Sequence, residues 1–277
     1  GFEFSATYRN RDHDFKYEVS ANLSTLRNRV TSLGFGTDSY ISGSYITKVG
    51  EEIGQFYGWV YEGIARTQEV LDNHATQEGA QIGDCLYKDV NNDGKVDSED
   101  QVVLGSGMPK INFGLNARFE YKRFDLSIAT FGALNYHVSD DIYNSLNSCY
   151  GWGNKEVGML DANRFSEDGS TYLSNVPRTY VTNSASLGWN DLFSSRKIQN
   201  AAYWKIANVE LGYNFPDKWF DKYVSDVRFY ISAQNLHTFT GYHGYNVDYA
   251  GGTFTPGYNF CSYPTARTFM CGVHFTF

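Results

Sequence analysis

The segment INFGLNARFEYKRFDLSIATFGAL, residues 111–134, decides the fold of this chain. Apolar side chains take every second position from Ile111 to Tyr121, and polar or small side chains stand between them. Lys122 and Arg123 interrupt this alternation, which starts again at Phe124. A period of two indicates β-strands, so the segment predicts two strands, each with one apolar and one polar face, joined by a tight turn.

The two arms of this segment are long for strands of a soluble protein. Each arm holds about ten residues, which at a rise of ~3.3 Å and a tilt of ~40° cover roughly 25 Å, the height of the apolar band of a transmembrane barrel. A typical strand in a globular protein has about five to six residues. The length and the regular alternation together predict strands of an outer-membrane β-barrel.

The composition agrees with a β-protein and argues against several other classes. The chain has 277 residues, 42% of them hydrophobic, and its mean hydropathy is −0.44, so no stretch has the character of an apolar membrane-spanning helix. Aromatic residues make up 17% and glycines number 27, whereas prolines number only 5, a balance that favours strands. The net charge of −8 and the lack of a basic patch argue against a nucleic-acid partner.

Alternation of the same kind returns in other parts of the chain, which raises the expected number of long strands to about seven. The additional segments are 2–8, 15–24, 207–215, 227–234 and 269–277. Long excursions at 27–107, 135–200 and 237–265 separate pairs of strands that are themselves joined by short turns. Because transmembrane barrels have short periplasmic turns and long extracellular loops, we expect extracellular excursions and a periplasmic C-terminus.

The predicted fold class is therefore all-β, a segment of a transmembrane antiparallel barrel. Bacterial barrels usually have an even number of strands, and an apolar sheet with two open edges is prone to aggregate. We therefore expect residues 1–277 to be the C-terminal section of a longer barrel that is completed by strands from elsewhere. The alternation that begins at Phe2 is what a chain starting inside a strand would have.

The segment DVNNDGKVDSED, residues 89–100, has the spacing of an EF-hand calcium loop. The expected ligands are Asp89, Asn91, Asp93, Lys95 through its carbonyl, Asp97 through water, and Asp100. Gly94 would allow the sharp turn, and Val96 would pack the loop against an apolar neighbour. The last ligand position is Asp instead of Glu, and no long helices flank the loop. Two interpretations stand: a structural Ca²⁺ or Mg²⁺ that stiffens an extracellular loop, and a polar turn with no ion.

The sequence gives no sign of an enzyme. It has no nucleophile motif, no phosphate-binding loop and no histidine pair at metal-ligand spacing, so we expect no catalytic activity. The cysteines lack CxxC spacing, and whether any of them form disulfides is left open. They are Cys85, Cys149, Cys261 and Cys271.

Two further groups of residues allow a functional and a structural interpretation. Charges on the polar faces of the strands would either guide a solute or belong to a hydrated interior. These are Arg118, Glu120, Glu210 and Arg228. Aromatic residues in the long excursions would either contact a ligand or partner, or pack the loops themselves. The candidates for substrate contact are Tyr150, Trp152, Tyr242 and Tyr245.

Several segments resemble the SusC/RagA family of TonB-dependent outer-membrane transporters. The clearest are GQFYGWVYEGI at 54–64, and the DVNNDG loop followed by VLG and PK within 89–110. Later segments resemble later blocks of the same family, in the same order. They are YKRFDLS, YWKI with VELGY, AQNL, and PTAR before the end of the chain. The resemblance covers most of the chain.

This resemblance implies a barrel of about 22 strands, of which the chain would supply about seven C-terminal ones, with the plug domain and the N-terminal strands absent. It implies TonB-dependent import of oligosaccharides or peptides across the bacterial outer membrane. It also implies a SusD-like surface lipoprotein as partner, and a TonB complex that acts through the absent plug. The alternatives are a secreted calcium-binding β-sandwich that binds glycans and a simple diffusion porin.

Overall fold

A computed structural model describes residues 1–149, 153–179, 188–216, 219, 226–248 and 251–276. The last residue of the predicted final strand, Phe277, and most of the predicted turn at 216–225 lie outside these ranges.

The structure is dominated by β-strands. The strands are β1 (Phe2–Asn10), β2 (Phe15–Thr25), β3 (Ser39–Ser42), β4 (Tyr45–Lys48), β5 (Gln55–Gly58), β6 (Tyr61–Ile64), β7 (Cys85–Tyr87), β8 (Val102–Ser106), β9 (Ile111–Tyr121), β10 (Phe124–Leu134), β11 (His137–Asp140), β12 (Gln199–Asn200), β13 (Tyr203–Asn214), β14 (Asp226–Thr240), β15 (Gly251–Gly252), β16 (Thr255–Pro256), β17 (Tyr258–Asn259) and β18 (Thr268–Thr276).

The helices are short and lie in the excursions. They are α1 (Gln68–Asp72), α2 (Asp141–Leu146), and 3₁₀ segments at Gly34–Gly36, Ser98–Asp100, Val157–Asp161, Trp189–Asp191 and Ser195–Lys197. The Thr67 side chain accepts the Val70 N–H at the start of α1, as an N-cap residue does. Within the described residues, no helix is long and apolar enough to cross a bilayer.

Seven long strands form one antiparallel sheet in the order β1-β2-β9-β10-β13-β14-β18. Each of the five inner strands pairs with the long strand before it and the one after it in sequence, and β1 and β18 form the two edges, so the sheet is a meander. At its centre Tyr121 pairs directly with Phe124, and Lys122 has a φ of 55°, the left-handed conformation that two-residue hairpin turns require. The prediction of about seven long antiparallel strands is confirmed.

The seven strands are staggered. Following the pairing from Asn10 across the sheet leads through Tyr17 and the intervening strands to Cys271 on β18. β1 ends at Asn10, whereas β18 continues beyond Cys271 to Thr276. An offset of about five residues over about six strand spacings corresponds to a strand tilt of roughly 30°. A tilt of this kind is what a sheet needs in order to close into a barrel.

The register places the apolar positions of all the long strands on one face, because residues that pair across neighbouring strands share a face. Large side chains of this apolar face are exposed on every strand. Phe4 on β1 is 65% exposed, Phe124 on β10 is 53% exposed, and Ile231 on β14 is 48% exposed. A water-soluble sheet would bury such a face, so this one requires another apolar medium or partner.

Aromatic side chains lie toward the strand ends of this face, and aliphatic ones lie between them. On β14, Phe229 and Phe239 bracket Ile231 and Ala233. The ring of Phe239 stacks on Trp204 of β13 at 5.3 Å between centroids. Two aromatic girdles that flank an apolar band are typical of transmembrane barrels.

Two strands are longer than the sequence predicted. β13 begins at Tyr203, and β14 continues to Thr240, so the expected start of the third excursion at His237 was wrong. The reason is a β-bulge. The pairing of β13 with β14 skips Ala207, and Asn235 of β14 has a φ of 52°. An extra residue breaks the two-residue period, so the alternation of the sequence does not reveal the rest of the strand.

The excursions fold into small sheets with their own cores. The first contains the sheet β3-β4-β5-β8 and the pair β6-β7, and the second and third share the sheet β12-β11-β17. One buried cluster consists of Cys85, Tyr87 and Val96, and another of Ala133, Tyr136, Val138, Ala201, Tyr242 and Val247. The packed interior of the described residues therefore lies mainly in the excursions at one end of the long sheet.

The apolar face makes a prediction about arginine substitutions. Val209→Arg, in the middle of β13, should destabilise the full-length protein by about 2–4 kcal/mol, because a cation at mid-bilayer lacks water. Phe229→Arg lies only three residues from the start of β14 and should cost less, about 0–1 kcal/mol, since the side chain reaches the interface. Urea unfolding of the membrane-extracted protein measures both.

Gln234→Arg is the matched control, because Gln234 lies on the polar face of β14 and is exposed. It should leave the unfolding midpoint unchanged. Equal tolerance of arginine at Val209 and Gln234 would mean that the apolar face does not meet lipid.

Candidate functional site

Charged side chains cluster on the polar face of the long sheet, near the short turns. Arg228 of β14 reaches across β13 to Asp125 of β10, with Nε 3.0 Å from Oδ1, and also donates to Glu210 at 2.8 Å. Gly212 lies beneath this bridge, and a Cβ there would overlap the guanidinium group. The guanidinium lies 5.5 Å from the ring centre of Tyr230. One arginine therefore joins two carboxylates and cross-links three strands.

A second charged group lies on the neighbouring strands. Arg9 Nε is 2.7 Å from Glu18, and Arg11 is 3.6 Å from the same carboxylate. On β9, Arg118 Nε is 3.1 Å from Glu120. These ion pairs are exposed, so they contribute little stability and keep their charges accessible. They surround an open cavity of about 370 Å³, lined by Arg11, Lys16, Tyr17, Glu18, Arg118 and Glu120.

The half of the polar face next to the excursions carries amides and hydroxyls instead. They include Ser20, Asn22, Ser24, Asn112, Asn116, Asn208 and Thr238. The one cation on β13 in this half, Lys205, is only 3% exposed, and its Nζ lies 2.5 Å from Asp248 Oδ2. The polar face thus divides into a charged zone near the turns and a neutral zone near the excursions, with Glu3 on the edge strand β1 outside both groups.

The third excursion packs against the outer end of the neutral zone. Asp248 holds it to Lys205 of the sheet, and the Tyr136 hydroxyl donates to the Val247 carbonyl at 2.8 Å. The buried Tyr242 hydroxyl donates to Asp140. Buried ion pairs and hydrogen bonds of this kind are expensive to break, because each would leave an unpaired polar group inside. The third excursion is therefore fixed to the wall of the sheet.

The first and second excursions are joined by a separate polar network. Asp84, which is 2% exposed, accepts a hydrogen bond from Arg178 Nη2 at 3.0 Å and another from Asn190 Nδ2 at 2.8 Å. The Cys85 N–H donates to Asn190 Oδ1 at 2.6 Å. The ring of Tyr87 packs against Trp189 from the second excursion. These contacts join segments about 100 residues apart in sequence into one outer layer.

The candidate ion loop winds around its first and last carboxylates. Asp89 accepts the N–H groups of Asn92 at 2.6 Å and of Gly94 at 2.8 Å. Asp100, fully buried, accepts those of Val90 at 2.7 Å and of Asp97 at 2.9 Å. The φ angles of Asn92 and Gly94 are positive, 60° and 87°, so the backbone makes the sharp turn that Gly94 was expected to allow.

The ion loop is attached to the core of the first excursion. Val96 is 4% exposed and packs with Cys85, and the Trp59 indole N–H donates to the Asp97 carbonyl at 3.1 Å. Lys95 Nζ lies 2.7 Å from Asp97, and this hydrogen bond lowers the pKa of Asp97 and raises that of Lys95. Among the described residues, no three side chains of His, Cys, Asp or Glu converge as a metal site. The loop carboxylates accept backbone N–H groups in this structure.

The chain is similar to known proteins in sequence and in structure. No protein-family profile matches the chain. TonB-dependent receptor P3 of Formosa agariphila is 29% identical to it over 100% of the chain and 28% of the receptor. TonB-dependent receptor SusC of Bacteroides thetaiotaomicron is 25% identical over 95% of the chain and 25% of SusC. The chain is a homologue of the TonB-dependent receptors, SusC among them.

The solved structures agree with this homology at the level of the fold. A chain in the structure of the RagAB peptide transporter superposes on 99% of this chain with a TM-score of 0.78 and 20% sequence identity. The superposition covers 28% of that RagAB chain. The segment therefore spans about a quarter to three tenths of the length of the receptors it matches. It is a part of a barrel wall, and the described residues form an open sheet.

The aromatic candidates for substrate contact differ in their exposure to solvent. Tyr242 is 6% exposed, with its hydroxyl used by Asp140 and Asn259, so it packs the loop core and offers no surface to a ligand. Tyr245 is 66% exposed and stays a candidate. Tyr150 and Trp152 lie outside the described residues.

The four cysteines of the chain are free thiols. Cys85 and Cys149 are buried, and burial raises the pKa of Cys85 to about 12 and that of Cys149 to about 11, so both stay protonated and unreactive. Cys261 and Cys271 are exposed. Cys271 stands on the apolar face of β18, where it acts as a small apolar residue.

Sequence reasoning missed two residues of the polar face. Gly212 stood in the polar phase of a strand, where its role beneath Arg228 becomes visible only once the register is known. Phe131 also occupies a polar-phase position, since it pairs with Gly114 and Lys205. An aromatic residue out of phase with the apolar positions of β10 was a signal available in the sequence.

The Arg228 bridge predicts an unusual sensitivity to a methyl group. Gly212→Ala should destabilise the protein by about 1–3 kcal/mol, because the new Cβ forces Arg228 and Asp125 apart in a tightly packed site. Gly158→Ala is the matched control, since nothing lies within 4 Å of the added carbon. The temperature at which the barrel loses its compact gel mobility measures both. Identical temperatures for the two variants would contradict the bridge.

Proposed function

We propose that this chain forms part of the wall and outer loops of an outer-membrane, TonB-dependent importer of oligosaccharide or peptide nutrients. The observation that carries the proposal is a seven-stranded sheet with one exposed apolar face and one polar face, in a segment homologous over its whole length to TonB-dependent receptors. The apolar face would meet lipid, and the polar face would line the lumen.

The proposed orientation is supported by the position of the excursions. The long excursions leave one end of the sheet, and the short turns, such as the one at Lys122, lie at the other. Because outer-membrane barrels have their long loops outside and short turns in the periplasm, we assign the excursions to the cell surface. The end of β18 and the C-terminus would then be periplasmic.

The proposed partners follow from the unpaired edges and from the relatives. β1 and β18 are the edges of the sheet, so the remaining strands of the same barrel would pair with them and enclose a plug. TonB would act through that plug, and a SusD-like surface lipoprotein would cover the outer loops. Val157 and Leu160, which are 79% and 83% exposed on the second excursion, are apolar positions for such a contact.

The alternatives fit less well. A secreted β-sandwich packs its apolar face against a second sheet, yet Phe4, Phe124 and Phe269 are 65%, 53% and 70% exposed on the face that would be packed. A simple diffusion porin needs no energy source, whereas the relatives with sequence similarity are named as TonB-dependent receptors.

The importer and the porin are separated by an uptake measurement. Cells that carry the full-length receptor should take up labelled oligosaccharides or peptides, and uptake should stop when either the receptor gene or TonB is removed. Loss of TonB with uptake unchanged would favour a porin. Release of the receptor from membranes by high salt without detergent would favour the soluble module.

We further propose that the loop at 89–100 binds a structural Ca²⁺ or Mg²⁺. All the candidate donors are oxygen atoms, the ligands that these ions prefer. They belong to the side chains of Asp89, Asn91, Asp93, Asp97 and Asp100 and to the Lys95 carbonyl. The positive φ of Gly94 and the anchor of Val96 in the core give the loop the turn and the support of a calcium loop. Binding requires Lys95 Nζ to leave Asp97, so that the Asp97 carboxylate can accept a hydrogen bond from a water bound to the ion.

The ion would stiffen the first excursion, which predicts a change in proteolysis. Asp89→Ala with Asp93→Ala should give new protease cuts within 27–107 of the full-length receptor, and chelator should give the same cuts in the unmodified protein. Asp38→Ala, an exposed carboxylate of the same excursion, is the control and should change nothing. Cleavage that is unaffected by chelator and by the double substitution would refute the ion.

A further inference from the structure

The neutral zone of the polar face contains exposed amides with no partner. Asn22, Asn112 and Asn116 are exposed, and no side-chain hydrogen bond to them is found within the described part of the chain. The Asn22 amide lies flat over Gly114, where a Cβ would come within 2.8 Å of its nitrogen. Gly114 thus gives the amide a fixed place on the wall and leaves both its donor and its acceptor free.

An aromatic pair stands next to these amides. Phe131 interrupts the polar phase of β10 and is 39% exposed on this face. Its ring meets Tyr203 edge to face at 6.0 Å, which holds it in a defined orientation. Lys205 Nζ is 5.7 Å from the same ring, but Asp248 neutralises its charge.

The amides and the aromatic pair line an open cavity of about 350 Å³. Its lining includes Asn22, Asn112, Asn116, Phe131 and Tyr203. Tyr203 also packs against the buried cluster of the second and third excursions, so that cluster adjoins the cavity on its outer side. The charged zone lies on the opposite side, toward the short turns, and no charged side chain lines the cavity.

We propose that this cavity is a binding subsite for a neutral, hydroxyl-rich ligand, an uncharged oligosaccharide, on the wall of the transport path. Each amide offers a donor and an acceptor side by side, which matches a hydroxyl group that both gives and accepts a hydrogen bond. The Phe131 ring offers an apolar surface to the C–H face of a sugar ring. A small number of polar groups around an aromatic surface is the usual composition of a ligand site.

The same residues disfavour a peptide with free charges. A carboxylate, an ammonium group or a charged side chain placed here would lose water without gaining an opposite charge, since Lys205 is already paired. The inference rests on the proposed import function, because only a barrel lumen brings solutes to this face. It narrows the substrate from oligosaccharides or peptides to uncharged oligosaccharides.

The test uses the full-length receptor, purified in detergent, and isothermal titration. The neutral probes are oligomers of about six units from starch, inulin, xylan and mannan; the charged probes are oligogalacturonates and free octapeptides. At least one neutral oligomer should bind, and the charged probes should not. Phe131→Ala and Asn112→Ala should each weaken that binding about tenfold, the loss expected from one ring or one amide contact.

Gln234→Ala is the matched control, because Gln234 is an exposed amide on the same face that does not line the cavity. It should leave the affinity unchanged. All three positions are at least partly exposed, and retention of the heat-resistant barrel on gels reports folding separately. Unchanged affinity in Phe131→Ala and Asn112→Ala would overturn the subsite, as would a receptor that binds none of the neutral oligomers.

Failure of the subsite and failure of the import function give different results. If TonB-dependent uptake of octapeptides is found and no neutral oligomer binds, the subsite is wrong and the importer stands. If no uptake depends on TonB, the proposed function itself is wrong, whatever the titration gives.

Discussion

The pairing of backbone hydrogen bonds across the long strands is the constraint on which the rest of this structure depends. A strand that crosses hydrocarbon finds no water for its N–H and C=O groups, so each group must be paired with a neighbouring strand. Pairing of this kind fixes the register, and the register fixes the face of every side chain. A slip by one residue would bring Arg228 and Asp125 to the face that now carries Phe229 and Phe124.

The charge of Arg228 on the polar face is paired with carboxylates on neighbouring strands, as a charge close to a low-dielectric medium needs to be. Arg228 lies between Asp125 and Glu210. Because Gly212 has no side chain, the Arg228 guanidinium can lie directly on β13 and reach Asp125 on β10. Replacing both partners of such an ion pair together changes the stability little. Removing one partner destabilises the protein strongly, because the other charge is left unpaired. The bridge therefore acts chiefly on register, because only the observed pairing brings the three charges together.

The alternation of the sequence predicted the long sheet because a period of two is a direct consequence of strand geometry. The central hairpin was predicted to the residue, with Lys122 and Arg123 in the turn. The ends of β13 and β14 were not predicted, because Ala207 and Asn235 add residues that reverse the phase. Local patterns contain no information on such an insertion unless the partner strand is known.

The candidate site was predicted less well than the sheet, because the residues that contact one another there are far apart in sequence. The burial of Tyr242 depends on Asp140 and Asn259, which lie far away in sequence, so an exposed role could not be told from a packed one. The ion loop was easier to propose, since all its donors lie within one short segment.

The loop contacts also determine where the outer end of this segment can move. Lys205 is buried and forms an ion pair with Asp248. Tyr203 packs against the buried cluster of the second and third excursions. Breaking that pair to lift the third excursion would leave a buried ammonium group without a partner, at a cost of roughly 3–5 kcal/mol. The second and third excursions therefore stay with the wall as one unit. A ligand that reaches the neutral zone must enter beside these excursions, along the open side of the polar face.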